Sequence, residues 1–256
     1  MWVIVLPGPC YTAYRLVTFV LSGAGFQLQS AKDVSVTGNH VVLREEILSA
    51  LGLPALGPPP VPVNLFRMSL DAKRAKIEAI SWVRSAVLSR SYPHRLDVMI
   101  TERAPVGFVN VDSRLQLVDG DGALLEKPDK GDFDFPVLSG VGADISDSER
   151  RRRLIVYAEF MRQLAPLGPR SGWSISEVDL SDPDDLKALL VNNQKTVRAY
   201  FGSSNFSDRF ESFLALLPEV RKTTTRIDSV DLRYRNQIVV NPGIGNGEQV
   251  TGNSPL

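Results

Sequence analysis

Asp119 and Asp121, followed by Gly122, have the acidic spacing that opens a calcium loop, in which oxygen ligands surround a hard cation. The later ligands and the closing Glu are absent, so Asp119-Gly120-Asp121-Gly122 reads as a hairpin turn. Ser181-Asp182-Pro183-Asp184-Asp185 also gathers carboxylates, but Asp and Ser before Pro form turns by bonding their own backbone, and a turn is the expectation. A carboxylate doing acid/base work needs a pocket that tunes its pKa. Glu45 and Glu46 fall on the polar side of a predicted helix and Glu102 ends a strand beside Arg103, so all three are expected in solvent. His40 follows a turn and His94 sits in one, neither beside a Ser or Cys nucleophile in recognisable context. Asn205-Phe206-Ser207 has the form of a glycosylation sequon, yet Ser207 is better explained as the N-cap of the Phe-rich stretch behind it. The run Arg150 to Arg153 has the charge to meet lipid head groups or an acidic partner, although such runs are usually solvated faces. No catalytic residue, metal ligand set or cofactor site is assigned.

The composition narrows the classes further. The chain has 256 residues, 43% hydrophobic and 23% charged, the make-up of one large or two small folded domains. Twenty-nine basic residues balance twenty-nine acidic ones, so no excess positive field is available to hold nucleic acid through phosphates. One cysteine, Cys10, and two histidines starve zinc sites and His-based catalysis of ligands. No small-molecule substrate is implied.

The elements that position these residues follow from periodicity. Residues 1–31 carry a single charge, Arg15. They read as the remnant of a membrane anchor whose upstream part is missing from this chain, with a complete short anchor or a buried or interfacial helix as alternatives. Val34 to Val36 alternates as a strand, and Thr37-Gly38-Asn39 reads as a turn. Leu43, Ile47 and Leu51 mark a helix stopped by Gly52 and Pro54; Leu56 to Pro62 is a Pro-rich connector. Ser69 caps a second helix with Leu70, Ile77 and Ile80 on one face. Val83 to Tyr92 and Leu96 to Ile100 are strands around a Tyr92-Pro93-His94 turn. Residues 33–103 thus form a β-α-α-β-β unit. Residues 104–241 follow as a mainly antiparallel β domain with two helices, one carrying Leu154, Tyr157, Met161 and Leu164 and one carrying Phe206, Phe210, Phe213, Leu214 and Leu217. Val230, Leu232 and Tyr234 alternate as a strand leading into Ile238-Val239-Val240. Residues 242–256 read as a disordered tail. The fold class is α+β.

Several short pieces then carry a family likeness by their order and spacing: Val36-Thr37-Gly38-Asn39, Asn64-Leu65-Phe66, Ile80-Ser81-Trp82-Val83, Tyr92-Pro93 and Leu96-Asp97-Val98, then Thr101-Glu102-Arg103-Ala104-Pro105-Val106, Leu117-Val118-Asp119, Pro136-Val137-Leu138-Ser139-Gly140 and Val230-Asp231-Leu232-Arg233-Tyr234. Over about residues 33 to 241 the chain resembles the FtsQ/DivIB family of bacterial cell division, with an FtsQ-type POTRA domain and a β domain. The resemblance implies a non-enzymatic, single-pass inner-membrane protein with both domains outside the cytoplasm at the division septum. It implies divisome partners, chiefly FtsB and FtsL, and a docking surface at the last strands comprising Tyr234, Arg235, Asn236, Gln237, Ile238 and Val239. Gln237 departs from the Gly common there, and the basic segment expected before the membrane helix is absent. A competing reading is a POTRA chaperone module of an outer-membrane assembly or secretion machine; an enzyme ranks third.

Overall fold

The structure, a computed structural model, describes residues 8–22, 24–59, 63–129, 131–193, 195–223, 227–234 and 238–242. The chain divides into two compact units, Met1–Arg103 and Ala104–Leu256. Of residues 242–256, read above as a disordered tail, Pro242 instead ends the last strand, and the stretch from Gly243 lies outside the described residues.

In the first unit the apolar N-terminal run forms helix α1 (Gly8–Ser22), 15 residues long, or about 22 Å at 1.5 Å per residue. No helix among the described residues is long and apolar enough to cross a membrane. Strand β1 (Gln27–Leu28) pairs antiparallel with β3 (Val63–Asn64) in a two-residue ribbon, which is too short for alternation to announce in the sequence. Between them lie β2 (Val34–Thr37) and α2 (Arg44–Leu51); α3 (Leu70–Glu78), β4 (Val83–Ser91) and β5 (Arg95–Glu102) follow. The three-stranded sheet has the order β2-β5-β4, with β2 parallel and β4 antiparallel to the central strand. This is the β-α-α-β-β order with the ribbon added.

Local chemistry explains the ends. Gly52 closes α2 in the left-handed region at φ 76°, and Lys73 donates from Nζ to the Leu51 carbonyl, joining α3 to that end. Ser69 caps α3 by accepting from the Ala72 amide. Leu43, expected on the buried stripe of α2, is instead its N-cap and is exposed, while Leu48 takes the buried position with Ile47 and Leu51. A register shift between Val83 and Ser85 breaks the two-residue alternation at the start of β4. Gly38 turns at φ 83°, where a Cβ would lie 2.1 Å from the Ile100 carbonyl oxygen.

The second unit contains β6 (Pro105–Val111), β7 (Arg114–Asp119), β8 (Leu124–Leu125), β9 (Val137–Ser139), α4 (Asp147–Leu164), α5 (Gly168–Ser171), β10 (Ser174–Asp179), β11 (Leu186–Asn192), β12 (Lys195–Gly202), α6 (Phe206–Thr223), β13 (Ile227–Asp231) and β14 (Val239–Pro242). Its sheet has nine strands in the order β14-β13-β12-β11-β10-β9-β6-β7-β8. Five neighbouring pairs are antiparallel, while β6/β9, β9/β10 and β12/β13 are parallel. The two long helices α4 and α6 pack on each other. Their buried stripes, Leu154, Tyr157, Phe160 and Leu164 on one and Phe206, Phe210, Phe213 and Leu217 on the other, join Phe201 and Trp173 in one core. Ring contacts such as Phe160 with Phe201 at 5.0 Å and Trp173 with Phe213 at 5.6 Å are edge-to-face, the favoured arrangement of the ring quadrupoles.

Candidate functional site

β14 is the last strand of the nine-stranded sheet and pairs on one side only among the described residues, with Val240 opposite Val230 and Val239 opposite Asp231. The other side of such a strand carries backbone N–H and C=O groups that an added strand can satisfy. At the opposite end of the sheet, β8 spans only Leu124–Leu125, the shortened form in which proteins blunt an edge.

The corner leading into β14 differs from the strand expected there. β13 stops at Asp231. The Arg233 amide donates to Asp231 Oδ1 at 3.0 Å, an Asx-type turn that competes with strand geometry between residues two apart. Val230 and Leu232 are buried, as alternation requires, but Tyr234 leaves the pattern and is 57% exposed. Its neighbour Arg233 is held from several directions. The guanidinium donates to Asp231 (Nε to Oδ1, 2.9 Å) and reaches Asp185 (Nη1 to Oδ1, 3.3 Å). It also lies 5.5 Å from the centroid of the Tyr200 ring, within cation–π range. Arg209 donates to the carbonyls of Phe201 and Arg233. Hydrogen bonds from the Arg233 side chain hold the Asp231 carboxyl below the usual carboxylate range, against the opposing effect of burial. The reciprocal bonds from Asp231 raise the Arg233 guanidinium. Tyr234 is therefore exposed directly after a residue whose amide and carbonyl are both held.

Of the six docking residues expected from the resemblance, Tyr234 and Val239 are at the surface, with Val239 38% exposed. Ile238 packs partly buried against the core of the unit. Arg235, Asn236 and Gln237 lie outside the described residues. Sequence reasoning missed Asp185, Tyr200 and Arg209 as supports of this corner. Asp185 falls in the carboxylate-rich turn that drew attention as a cation collector, and the Asp231/Arg233 pair was visible only as part of a motif.

The other residues singled out from the sequence have structural duties. The Arg150 to Arg153 run is not one charged face. Arg150 is buried and donates to the carbonyls of Gly122, Val141, Gly142 and Ile145 and to the Asp147 carboxylate. Arg153 donates to Glu149 and to the Gly140 carbonyl, whereas Arg151 and Arg152 make outward ion pairs with Asp121 and Glu149. Glu102, expected in solvent, has a side chain 11% exposed and accepts from the amides of His40, Val41 and Val42 at 2.8–3.0 Å. Asp119 is buried and accepts from the amides of Asp121 and Ala123, and Asp182 accepts from Asp184, so both acidic segments are turns. Ser207 is not the N-cap: α6 begins at Phe206, and the Ser207 amide donates to Gln163 Oε1. Tyr157, its hydroxyl donating to the Val106 carbonyl, is held protonated well above the usual tyrosine range by burial. Among the described residues no group of His, Cys, Asp and Glu is arranged to hold a metal ion.

Two family models match the chain. Residues 29–103 match the POTRA domain, FtsQ-type, and residues 107–233 match Cell division protein FtsQ/DivIB, C-terminal. The second match ends at Arg233, immediately before the exposed Tyr234. A cell division protein FtsQ of Koribacter versatilis is 37% identical over 219 residues, covering 85% of this chain and 61% of the relative. Another, from Syntrophotalea carbinolica, is 27% identical over 209 residues, covering 81% of this chain and 72% of the relative. A cell division protein DivIB of Bacillus anthracis is 22% identical over 196 residues, covering 75% and 68%. The chain thus spans about three fifths of the length of the Koribacter relative. The names of these relatives denote cell division and no enzymatic reaction.

Proposed function

We propose, from the premise that this chain belongs to the FtsQ/DivIB family of bacterial cell-division proteins, that it is a non-enzymatic scaffold of the divisome. In this reading the N-terminal segment engages the inner membrane, residues 33–103 and 104–241 act as POTRA and β domains on the extracytoplasmic side at the septum, and FtsB- and FtsL-like partners dock at the terminal sheet edge. The single observation that carries it is β14: a strand with one side free of strand neighbours among the described residues, led by an exposed Tyr234. A partner strand added along Val239 to Asn241 gains main-chain hydrogen bonds, and Tyr234 supplies an aromatic anchor of the kind that often carries more than about 2 kcal/mol of binding. The match of the second unit to the FtsQ/DivIB C-terminal model weighs against an outer-membrane assembly chaperone.

The test is binding of a periplasmic FtsB peptide to the detergent-solubilised full chain, compared among the parent, Tyr234→Ala and Val239→Pro, with thermal unfolding as the folding control. Proline removes one strand donor and obstructs pairing. Both variants are expected to weaken binding at least about tenfold, the equivalent of about 1.4 kcal/mol. Folded variants that bind as tightly as the parent move the docking site elsewhere.

A further inference from the structure

Four aromatic rings form a continuous ladder across the first unit. Phe19 of α1 meets Phe26 edge-on at 6.2 Å between centroids, Phe26 meets Phe66 at 5.3 Å, and Phe66 stacks on Tyr92 at 5.1 Å with an interplanar angle of 23°. The rings come from four places in the chain: the apolar helix, the approach to β1, the turn after β3, and the β4–β5 turn. The small ribbon assembles them. Pairing of β1 with β3 brings Phe26 beside the second segment, the Leu65 amide donates to the Phe26 carbonyl at 3.0 Å, and Asn64 Oδ1 accepts from the Phe66 amide at 2.8 Å.

This ladder is not core. Phe19, Phe66 and Tyr92 are 64%, 37% and 58% exposed. It continues from a helix whose Tyr11, Tyr14, Leu16 and Val17 are also exposed, a mostly apolar surface, broken by the exposed Arg15, that suits lipid or a protein interior. The charges beside the rings in the chain favour lipid. Arg67 follows Phe66, Arg95 lies shortly after Tyr92, and Lys32 precedes β2, all three exposed. Asp33 accepts from the amides of Gln29 and Ser30, at 2.7 and 3.0 Å, and lies 3.9 Å from the His94 imidazole. Aromatic rings settle at the level of lipid head groups, and neighbouring Lys and Arg gain from anionic ones.

We propose that the Phe19–Phe26–Phe66–Tyr92 ladder is a seat that docks the first unit on the interface of an anionic phospholipid bilayer. The proposal rests on the reading that the N-terminal segment engages the membrane, and it adds which face of the unit is held against the head groups. The exposed apolar side chains of α1 enter the acyl region, and the rings of Phe66 and Tyr92 lie at the boundary.

The experiment uses the full chain with Cys10→Ser, which leaves no cysteine. Single cysteines are then introduced by Arg67→Cys, beside the ladder, and by Val87→Cys, a control position 61% exposed on β4. Each carries an environment-sensitive fluorophore and is mixed with vesicles of phosphatidylglycerol and phosphatidylcholine containing a lipid spin label near the head group. The protein is expected to float with the vesicles, and the Arg67→Cys probe to shift blue and be quenched several-fold more than the Val87→Cys probe. Adding Phe66→Ser and Tyr92→Ser is expected to abolish that difference while flotation persists. Failure to float overturns both the membrane reading and the seat. Flotation with equal quenching at the two positions, or a difference that survives loss of both rings, overturns the seat alone. A blue shift without lipid quenching also overturns it.

Discussion

Replacing Arg150 by Met keeps a long apolar stem but removes every donor of the guanidinium. Four backbone carbonyls, those of Gly122, Val141, Gly142 and Ile145, then lose a charged donor now 2.9–3.2 Å away, and Asp147 loses a bond of 2.7 Å. Hydrogen bonds to charged groups contribute about 1.5–3 kcal/mol each and do not add. Asp147 is 95% exposed and is rehydrated, so the cost lies in the buried carbonyls left without a donor, at about 1–3 kcal/mol each and about 3–5 kcal/mol in total. At about 2–4 °C per kcal/mol for a unit of this size, the melting temperature of the second unit falls by about 6–20 °C. Arg151→Ala and Arg152→Ala remove exposed ion pairs, each worth no more than about 1 kcal/mol. Thermal unfolding followed by near-ultraviolet circular dichroism resolves the contrast, because buried Trp173 reports on the second unit and buried Trp82 on the first. Equal shifts for Arg150→Met and Arg152→Ala would refute the division of this arginine run into a buried clamp and outward ion pairs.

Gly38→Ala places a Cβ against the Ile100 carbonyl in a left-handed turn and is expected to cost the first unit more than about 1 kcal/mol; an unchanged unfolding transition contradicts the turn. Glu102→Ala leaves the amides of His40, Val41 and Val42 without their carboxylate acceptor, so their hydrogen exchange should accelerate, with Glu102→Gln in between. Equal exchange in all three proteins rules out the anchor. The Asp231 carboxyl, depressed in the folded state chiefly by Arg233, contributes stability that is present above the unfolded aspartate value of about 3.9 and is lost as pH falls through its lower folded value. Asp231→Asn should therefore flatten this part of the acid limb in a pH series of unfolding free energies; an unaltered limb denies the coupling.

Long periodic segments announced themselves. The stripes Leu154/Tyr157/Leu164 and Phe206/Phe210/Phe213 recur at helical spacing because each helix buries one face against the same core. Ser69 was legible as a cap because its hydroxyl acts on an amide three residues away. Features decided by distant segments were not. Arg150 finds its acceptors at residues 122 and 141–147, so its sequence neighbours suggested a charged face while its surroundings made a clamp. Glu102 meets amides some sixty residues earlier in the chain. The end of β13 was misread because alternation through Val230, Leu232 and Tyr234 continued past the point where Asp231 bonds the Arg233 amide and turns the chain. At the terminal edge of the sheet, the resemblance pointed to Tyr234 and Val239, whereas the supports Asp185 and Arg209 act through tertiary contacts that no local pattern carries.

The central claim, that partners add a strand to β14, is tested most directly by residue-resolved amide hydrogen exchange on the full chain with and without the periplasmic FtsB peptide. In an antiparallel edge, alternate amides point away from the neighbouring strand. The account predicts new protection at alternate amides within Val239 to Asn241, with β8 at the far edge unaffected. Complex formation that leaves all the β14 amides exchanging at their free rates would contradict it.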